Sequence, residues 1–325
     1  MVQVPWYIYQ YYGDKRILEE VYPYWKRWFG HVKELAGDEF TLRKETPGVG
    51  LGDWCPPGGN EKMESSIDLT STAYYYFDAW IAMHTASLLG KKEEAEAFRT
   101  LAESIKKAFV ERFYDKENDT YGCQTSNSIA LVLGLFPEGK GQALADSLAR
   151  HIADDHQGHL SAGIMGHRYI YEALTDYGHD DAAYEMMTKR TWPSMGFTFD
   201  IGATTLWEIF GVDSSRVQHP YYSLCHPMQG GFDAWYYSRV AGIYPDWNQP
   251  GFKRLEMQPA LVHQLYWACA SHRSMHGLIV SEWRRIGNDF HWTISLPGNT
   301  SARVSIPCSE SGTVEDGSTP LEKSA

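Results

Sequence analysis

The sequence has few cysteines, little positive charge and no long apolar run, and each shortage excludes a class of protein. The five cysteines are scattered and odd in number, which argues against a disulfide framework. This favours a reducing compartment such as the cytoplasm, although the location of the protein in the cell stays open. The formal net charge of −12 disfavours nucleic acid as a partner, because polyphosphate binders carry a basic face. Without an apolar run of about 18 residues, the sequence predicts no membrane-spanning helix.

Aromatic residues, by contrast, are abundant. The chain has 325 residues, enough for one large domain or two, and it contains 12 Trp, 21 Tyr and 13 Phe. A large core accounts for some of these rings. The remainder is typical of a carbohydrate-binding cleft, where flat apolar rings stack on sugars.

The hydrophobic pattern of residues 16–239 is helical. Apolar residues recur at period 3.6 over residues 68–89 and again over residues 93–113, and Gly90 lies between them as a predicted C-cap. Shorter helices are predicted, in chain order, at residues 127–135, 142–152, 164–177, 182–189 and 228–240. The short connections between these segments predict antiparallel helical hairpins.

The period changes after Pro250. Apolar and polar residues alternate over residues 290–296 and again over residues 302–306, which indicates half-buried strands separated by Gly- and Pro-containing turns. We therefore expect a helical domain at residues 1–250 and a small antiparallel β domain at residues 251–325.

The most informative motif is Gly-Ala-Thr-Thr-Leu-Trp-Glu at residues 202–208. Gly and Thr allow the backbone to approach a ligand closely, and Trp207 offers a flat apolar face. Glu208 beside such a face can be partly desolvated and used for acid or base chemistry. In the alternative interpretation Trp207 is a core residue and Glu208 a surface cap.

Several other segments accompany this motif in a fixed order. They are Gly52-Asp53-Trp54, Ser223-Leu224-Cys225-His226, Val240-Ala241-Gly242-Ile243 and Pro250-Gly251-Phe252. Together they resemble the bacterial α-L-rhamnosidases of glycoside hydrolase family 78 over nearly the whole chain, although Cys225 stands where that family usually has Asn. The resemblance implies a mostly α fold: an (α/α)6 six-hairpin barrel, incomplete at its N-terminus, followed by a small antiparallel β-sandwich.

The resemblance also implies a reaction, namely hydrolysis of terminal α-L-rhamnosyl residues with inversion of configuration. Glu208 carries over as the general base that activates water. Asp53, Trp54 and His226 carry over as residues that contact rhamnose, whereas Trp207 either lines the sugar pocket or supports Glu208 from behind. No cofactor is implied, and rhamnose-containing glycosides or polysaccharides are the expected partners.

The general acid of the family lies in an Arg-Asp-Glu segment, and this chain contains no such segment. We expect the acid to lie upstream of Met1, which predicts a poor enzyme from this chain alone. Missing barrel helices would also leave an apolar flank exposed near Trp6, Tyr7 and Tyr9, through which copies could associate.

Two other functions remain open from the sequence. One is a polysaccharide lyase built on an all-α barrel, which would need basic residues beside the uronate carboxylate. The other is a fragment that binds rhamnose without turnover.

Histidines are frequent around Asp154 and Asp155. The four nearby ones are His151, His156, His159 and His167. Their spacing fits no familiar ligand pattern, so the sequence predicts no metal site.

Overall fold

The computed structural model describes residues 2–46, 50–209, 223–308, 311–317 and 319–320. The chain divides into two compact units. The helical unit comprises Met1–Tyr7 and Lys15–Asp233, and the β unit comprises Ile8–Asp14 and Ala234–Ala325.

Helices dominate the first part of the chain, as the period of 3.6 predicts. In chain order they are α1 (Gln3–Tyr12), α2 (Arg16–Ala36), α3 (Ile67–Leu88), α4 (Lys92–Phe113), α5 (Gln124–Leu133), α6 (Gly141–Arg150), α7 (Ile164–Thr175), α8 (Asp180–Thr188), α9 (Met195–Asp200) and α10 (Asp233–Trp235). Short 3₁₀ helices lie at Gly37–Glu39, Asn60–Lys62 and Pro227–Phe232, and π-helical turns at His151–Asp155 and Tyr236–Val240.

One predicted helix differs from the structure. Residues 228–240 form a 3₁₀ helix, one α-helical turn and a π turn in succession instead of a single α-helix. Gly230 and Gly231 explain the start of this segment, because two glycines in a row have a low helix propensity.

The long helices α3 and α4 form a hairpin. The Ser66 hydroxyl caps α3 by accepting a hydrogen bond from the Leu69 N–H at 3.1 Å. Gly90 has a φ of 73°, so it adopts the left-handed conformation expected between the two helices.

Helix α7 packs closely against α5. A Cβ added to Gly166 would lie 2.8 Å from the Thr125 Cα and 2.6 Å from the Ala162 Cβ. Glycine is therefore needed at this position so that the two backbones can approach.

On another side α7 contacts the 3₁₀ helix Pro227–Phe232. His167 is fully buried there, and its Nδ1 lies 3.1 Å from the Gln229 Oε1. Burial lowers the pKa of His167 to about 4, although the hydrogen bond to Gln229 opposes that shift. The imidazole is therefore neutral in the folded protein near neutral pH.

The β unit contains short strands around an apolar core. They are β1 (Ile243–Pro245), β2 (Arg254–Met257), β3 (Trp267–Ser274), β4 (Gly277–Ile286), β5 (Asp289–Ser295), β6 (Ser301–Val304), β7 (Glu315–Asp316) and β8 (Thr319–Pro320). The order β3-β4-β5 is antiparallel, as expected, whereas β1-β2-β6 is a mixed sheet in which β2 and β6 run parallel. Leu255, Met257 and Ile279 lie at the centre of the core.

The sequence predicts that Trp6, Tyr7 and Tyr9 of α1 are exposed, and this prediction is wrong for two of the three residues. Trp6 is buried and packs edge-on against Trp80 of α3, with 5.9 Å between ring centroids. Tyr9 is also buried, and Tyr7 is half-buried beneath the Arg168 guanidinium. Self-association of the chain stays a prediction.

Among the helices that the structure describes, none is both long and apolar enough to cross a membrane.

The close approach of α5 and α7 predicts the effect of a methyl group at Gly166. The substitution Gly166→Ala should lower the free energy of unfolding by about 1–3 kcal/mol, because the new Cβ overlaps backbone and side-chain atoms. Urea unfolding followed by circular dichroism measures this change.

Gly30 provides the matched control. It lies inside α2, and an added Cβ would meet nothing within 4 Å. Gly30→Ala should therefore raise stability by about 0.5–1 kcal/mol, since alanine favours a helix. Equal effects of the two substitutions would contradict the packing described for Gly166.

The burial of His167 predicts a pH dependence of stability. Below about pH 6.5 the unfolded chain protonates this imidazole, whereas the folded protein does so only near its pKa of about 4. The contribution of the neutral, buried His167 to the free energy of unfolding is complete above about pH 6.5 and is lost as the pH falls to about 4. The loss is on the order of 3 kcal/mol over that window.

Unfolding free energies measured between pH 7 and pH 4 check this expectation. The variant His167→Gln cannot titrate, so its stability should fall less steeply with acid than that of the unmodified chain. His276→Gln alters an exposed histidine and should leave the steep dependence intact. Parallel curves for the unmodified chain and His167→Gln would contradict the neutral, buried state of His167.

Candidate active site

The site lies where two backbone segments of the helical unit run side by side. The Glu208 N–H donates to the Ser223 carbonyl at 2.9 Å, and the His226 N–H donates to the Leu206 carbonyl at 2.7 Å. The structure thus brings together Glu208 and His226, two of the residues that the sequence singles out.

The Glu208 carboxylate is held at one oxygen and remains accessible. Its Oε2 accepts a hydrogen bond from the Ser223 N–H at 2.9 Å and lies 4.0 Å from the His226 Nδ1. The Glu208 side chain is 20% exposed and that of His226 is 35% exposed. A carboxylate that is fixed in place yet open to solvent can accept a proton from a water molecule.

Cys55 lies on the other side of this carboxylate. Its Sγ is 4.0 Å from the Glu208 Oε1, within reach of a weak thiol hydrogen bond. Burial, and then the charge of Glu208, raise the pKa of the Cys55 thiol to about 12. The thiol therefore keeps its proton and faces Glu208 as a donor. Nothing in the sequence motif pointed to this contact.

Gln229 joins three parts of the site. Its amide nitrogen donates to the Glu208 carbonyl at 3.1 Å and lies 3.4 Å from the Cys55 carbonyl, and its amide oxygen faces His167. The Gln229 side chain is almost completely buried. A lone glutamine in the sequence carries no signal of this role, because its partners come from distant segments.

Asp53 is buried and accepts hydrogen bonds from four donors. They are the Thr125 hydroxyl and the N–H groups of Gly163 at 2.6 Å, Met165 at 3.0 Å and Gly166 at 3.2 Å. Burial raises the pKa of the Asp53 carboxyl group, and these hydrogen bonds oppose the shift. In this arrangement Asp53 caps the first turn of α7, and its contact with a sugar stays a prediction.

The two tryptophans of the motifs differ in exposure. Trp54 is half-buried and packs against a small cluster of Cys55 and Ile209, while the Ile164 N–H donates to its carbonyl at 2.9 Å. Trp207 is only 8% exposed and lines a small apolar cavity with Met195, Phe199 and other residues of α9 and the motif. The burial of Trp207 favours a supporting role behind Glu208, whereas contact of the more exposed Trp54 with a sugar stays a prediction.

Family comparisons agree with the motifs. The bacterial α-L-rhamnosidase six-hairpin glycosidase domain matches residues 1–240, and the bacterial α-L-rhamnosidase C-terminal domain matches residues 242–319.

Relatives named as α-L-rhamnosidases match nearly the whole chain. This chain is 32% identical over 310 residues to an α-L-rhamnosidase of Streptomyces avermitilis, and the match covers 94% of this chain and 29% of that protein. It is 30% identical over 320 residues to an α-L-rhamnosidase of Formosa agariphila, covering 95% of this chain and 33% of that protein. The chain thus spans about a third of the length of these relatives.

Solved structures show the same relationship. The α-L-rhamnosidase from Dictyoglumus thermophilum superposes with a TM-score of 0.91 at 34% identity, over 99% of this chain and 36% of that one. The Streptomyces avermitilis α-L-rhamnosidase complexed with L-rhamnose superposes with a TM-score of 0.83 at 30% identity, over 94% of this chain and 29% of that one.

The mostly helical fold with its small sheet domain, the motif around Glu208 and the matched domains all lead to one assignment. This chain belongs to the bacterial α-L-rhamnosidases of glycoside hydrolase family 78, with a six-hairpin glycosidase domain and the C-terminal domain of that family.

Proposed function

We propose that this chain supplies the general base and part of the sugar pocket for hydrolysis of α-L-rhamnosides with inversion. The observation that carries the proposal is the Glu208 carboxylate, which the Ser223 N–H fixes at one oxygen and which stays partly exposed beside His226.

In the proposed reaction Glu208 removes a proton from a water molecule. The water oxygen attacks the anomeric carbon of rhamnose from the face opposite the leaving group, and the glycosidic C–O bond breaks. A second carboxylic acid, about 6.5–9.5 Å from the base, protonates the departing oxygen. That separation leaves room for the water, and the attack inverts the anomeric configuration.

The surroundings of Glu208 fit a role as base. The Cys55 thiol and the Ser223 N–H both donate toward the carboxylate, and only acceptor capacity is asked of Glu208 by these two neighbours, as suits an ionised base. Gln229 holds the backbone of Glu208 in place by donating a hydrogen bond to its carbonyl. A base held in one position favours attack, since a misplacement of about 1 Å lowers the rate steeply.

Rhamnose is proposed as the sugar because the relatives that cover this chain act on α-L-rhamnosides and one of them was crystallised with L-rhamnose. His226, whose imidazole can donate to and accept from hydroxyl groups, is proposed to contact the ring. Trp54 is proposed to stack on the apolar face of the sugar.

The role of Glu208 predicts the effect of removing its basicity. Glu208→Gln should lower kcat on a nitrophenyl α-L-rhamnoside by at least about 100-fold, because the amide cannot accept the proton of water. The amide is nearly the same size, so the dissociation constant of L-rhamnose should change little. Kinetic assays and calorimetry measure the two quantities.

A matched control comes from Glu185 on α8, which is 62% exposed in its ion pair with Lys189. Glu185→Gln removes a carboxylate from the same unit and should leave kcat unchanged.

The stereochemistry of the product is a second test. Proton NMR of the first product should show β-L-rhamnose before mutarotation. Turnover by Glu208→Gln at the unmodified rate, or α-L-rhamnose as the first product, would refute the assignment.

Two substrates with different leaving groups report on the general acid. Nitrophenolate departs with little protonation, whereas a sugar or flavonoid alkoxide needs an acid. Because the chain lacks the Arg-Asp-Glu segment, we expect turnover of the nitrophenyl rhamnoside to exceed that of a rhamnosyl disaccharide by at least about 100-fold.

Each other outcome has a distinct meaning. Comparable rates on both substrates would show that a residue of this chain acts as the acid. Binding of L-rhamnose without turnover of either substrate would indicate a sugar-binding fragment. Neither binding nor turnover would refute the proposed sugar.

A further inference from the structure

A cluster of possible metal ligands lies at the turn that follows α6. His151 begins the π-helical turn His151–Asp155 and His156 follows it, and Glu64 approaches them from the segment before α3. Their ligand atoms all lie within 4.8 Å of one another. These residues take no part in the site around Glu208.

The π turn explains why residues five apart meet. Its hydrogen bonds run between residues i and i+5, so such residues lie near one face, whereas an α-helix would separate them around its axis. The Nε2 atoms of His151 and His156 are 3.2 Å apart. This also explains why the sequence spacing matched no familiar ligand pattern.

The distance between the two imidazole nitrogens agrees with a tetrahedral zinc ion. Two imidazole nitrogens about 2.05 Å from such an ion would lie about 3.3 Å apart, close to the observed 3.2 Å. The Glu64 Oε1 lies 3.8 Å from the His156 Nε2, and its side chain is 38% exposed. The three ligand atoms lie within 4.8 Å of one another, so a movement of about an ångström by this surface side chain would bring its oxygen to the third ligand position.

Neighbouring groups orient the ligands. The Asp155 Oδ2 is 2.7 Å from the His151 Nδ1, so the carboxylate holds the proton on Nδ1 and leaves the lone pair on Nε2. The Ser161 hydroxyl donates to the Glu64 Oε2 at 3.1 Å. Histidine ligands of zinc are commonly oriented by a carboxylate in this way.

We propose that Glu64, His151 and His156 bind one zinc ion, with water as the fourth ligand. Two imidazoles and a carboxylate are a donor set that zinc accepts, and the negative charges of Glu64 and Asp155 favour a cation. The ion would tie the turn after α6 to the segment before α3. Because it binds only the folded chain, it would stabilise the helical unit.

Zinc titration of the untagged, chelator-treated chain tests the proposal. Calorimetry should show one zinc ion per chain. Zinc at about 100 times its dissociation constant should raise the unfolding temperature by roughly 5 °C. The variant His151→Ala/His156→Ala should lose both effects, and Asp155→Asn should weaken binding by about tenfold.

The matched control is His179→Ala. His179 is also partly exposed and lies 2.8 Å from a carboxylate oxygen of Asp146, but it is not part of the cluster. This variant should bind zinc as the unmodified chain does. Unfolding temperatures measured in chelator identify any variant that fails to fold. If the double histidine variant fails to fold, the surface substitution Glu64→Gln takes its place, and it should weaken zinc binding by at least about tenfold.

Cobalt distinguishes the ligands directly. A tetrahedral nitrogen and oxygen site gives intense visible bands without a thiolate charge-transfer band. Three exposed cysteines, Cys225, Cys269 and Cys308, could bind metal on their own. A thiolate band, zinc binding unchanged in the double histidine variant, or no binding at all would overturn the proposal, and the histidines would then form only a hydrogen-bonded pair.

Discussion

Four hydrogen bonds converge on the buried carboxyl group of Asp53, and the geometry around Glu208 depends on them. They join the loop at Asp53 to Thr125 of α5 and to the first turn of α7. A polar group buried at this depth is strongly destabilising without partners, so the loop has one favourable position against α7. That position fixes Cys55, two residues further along, beside the Glu208 carboxylate.

Helix α7 transmits the same constraint to the other side of the site. Gly166 allows it to approach α5, and the next residue, His167, contacts Gln229 in the interior. Gln229 then binds the Glu208 backbone. Helix α7 thus positions the carboxylate through both Cys55 and Gln229, although none of its own side chains contacts the carboxylate in the described hydrogen bonds and ion pairs.

The segment before α7 connects this arrangement to the proposed zinc site. Gln124 of α5 holds it through the Ser161 N–H at 2.9 Å and the His159 carbonyl at 2.9 Å. Ser161 also contacts Glu64, one of the proposed ligands. A single short segment therefore has His156 of the cluster at its start and Gly163, one of the partners of Asp53, at its end.

The sequence by itself determined most of the helices and the change to strands near Pro250, and it singled out Glu208 and His226 as candidate site residues, because periodicity and motifs are local properties of the chain. It did not reveal the four partners of Asp53, the role of Gln229 or the meeting of Glu64 with two histidines. Those contacts join residues far apart in the sequence. Periodicity shows which face of a helix is buried, but only tertiary packing decides which faces meet and which polar groups are buried between them.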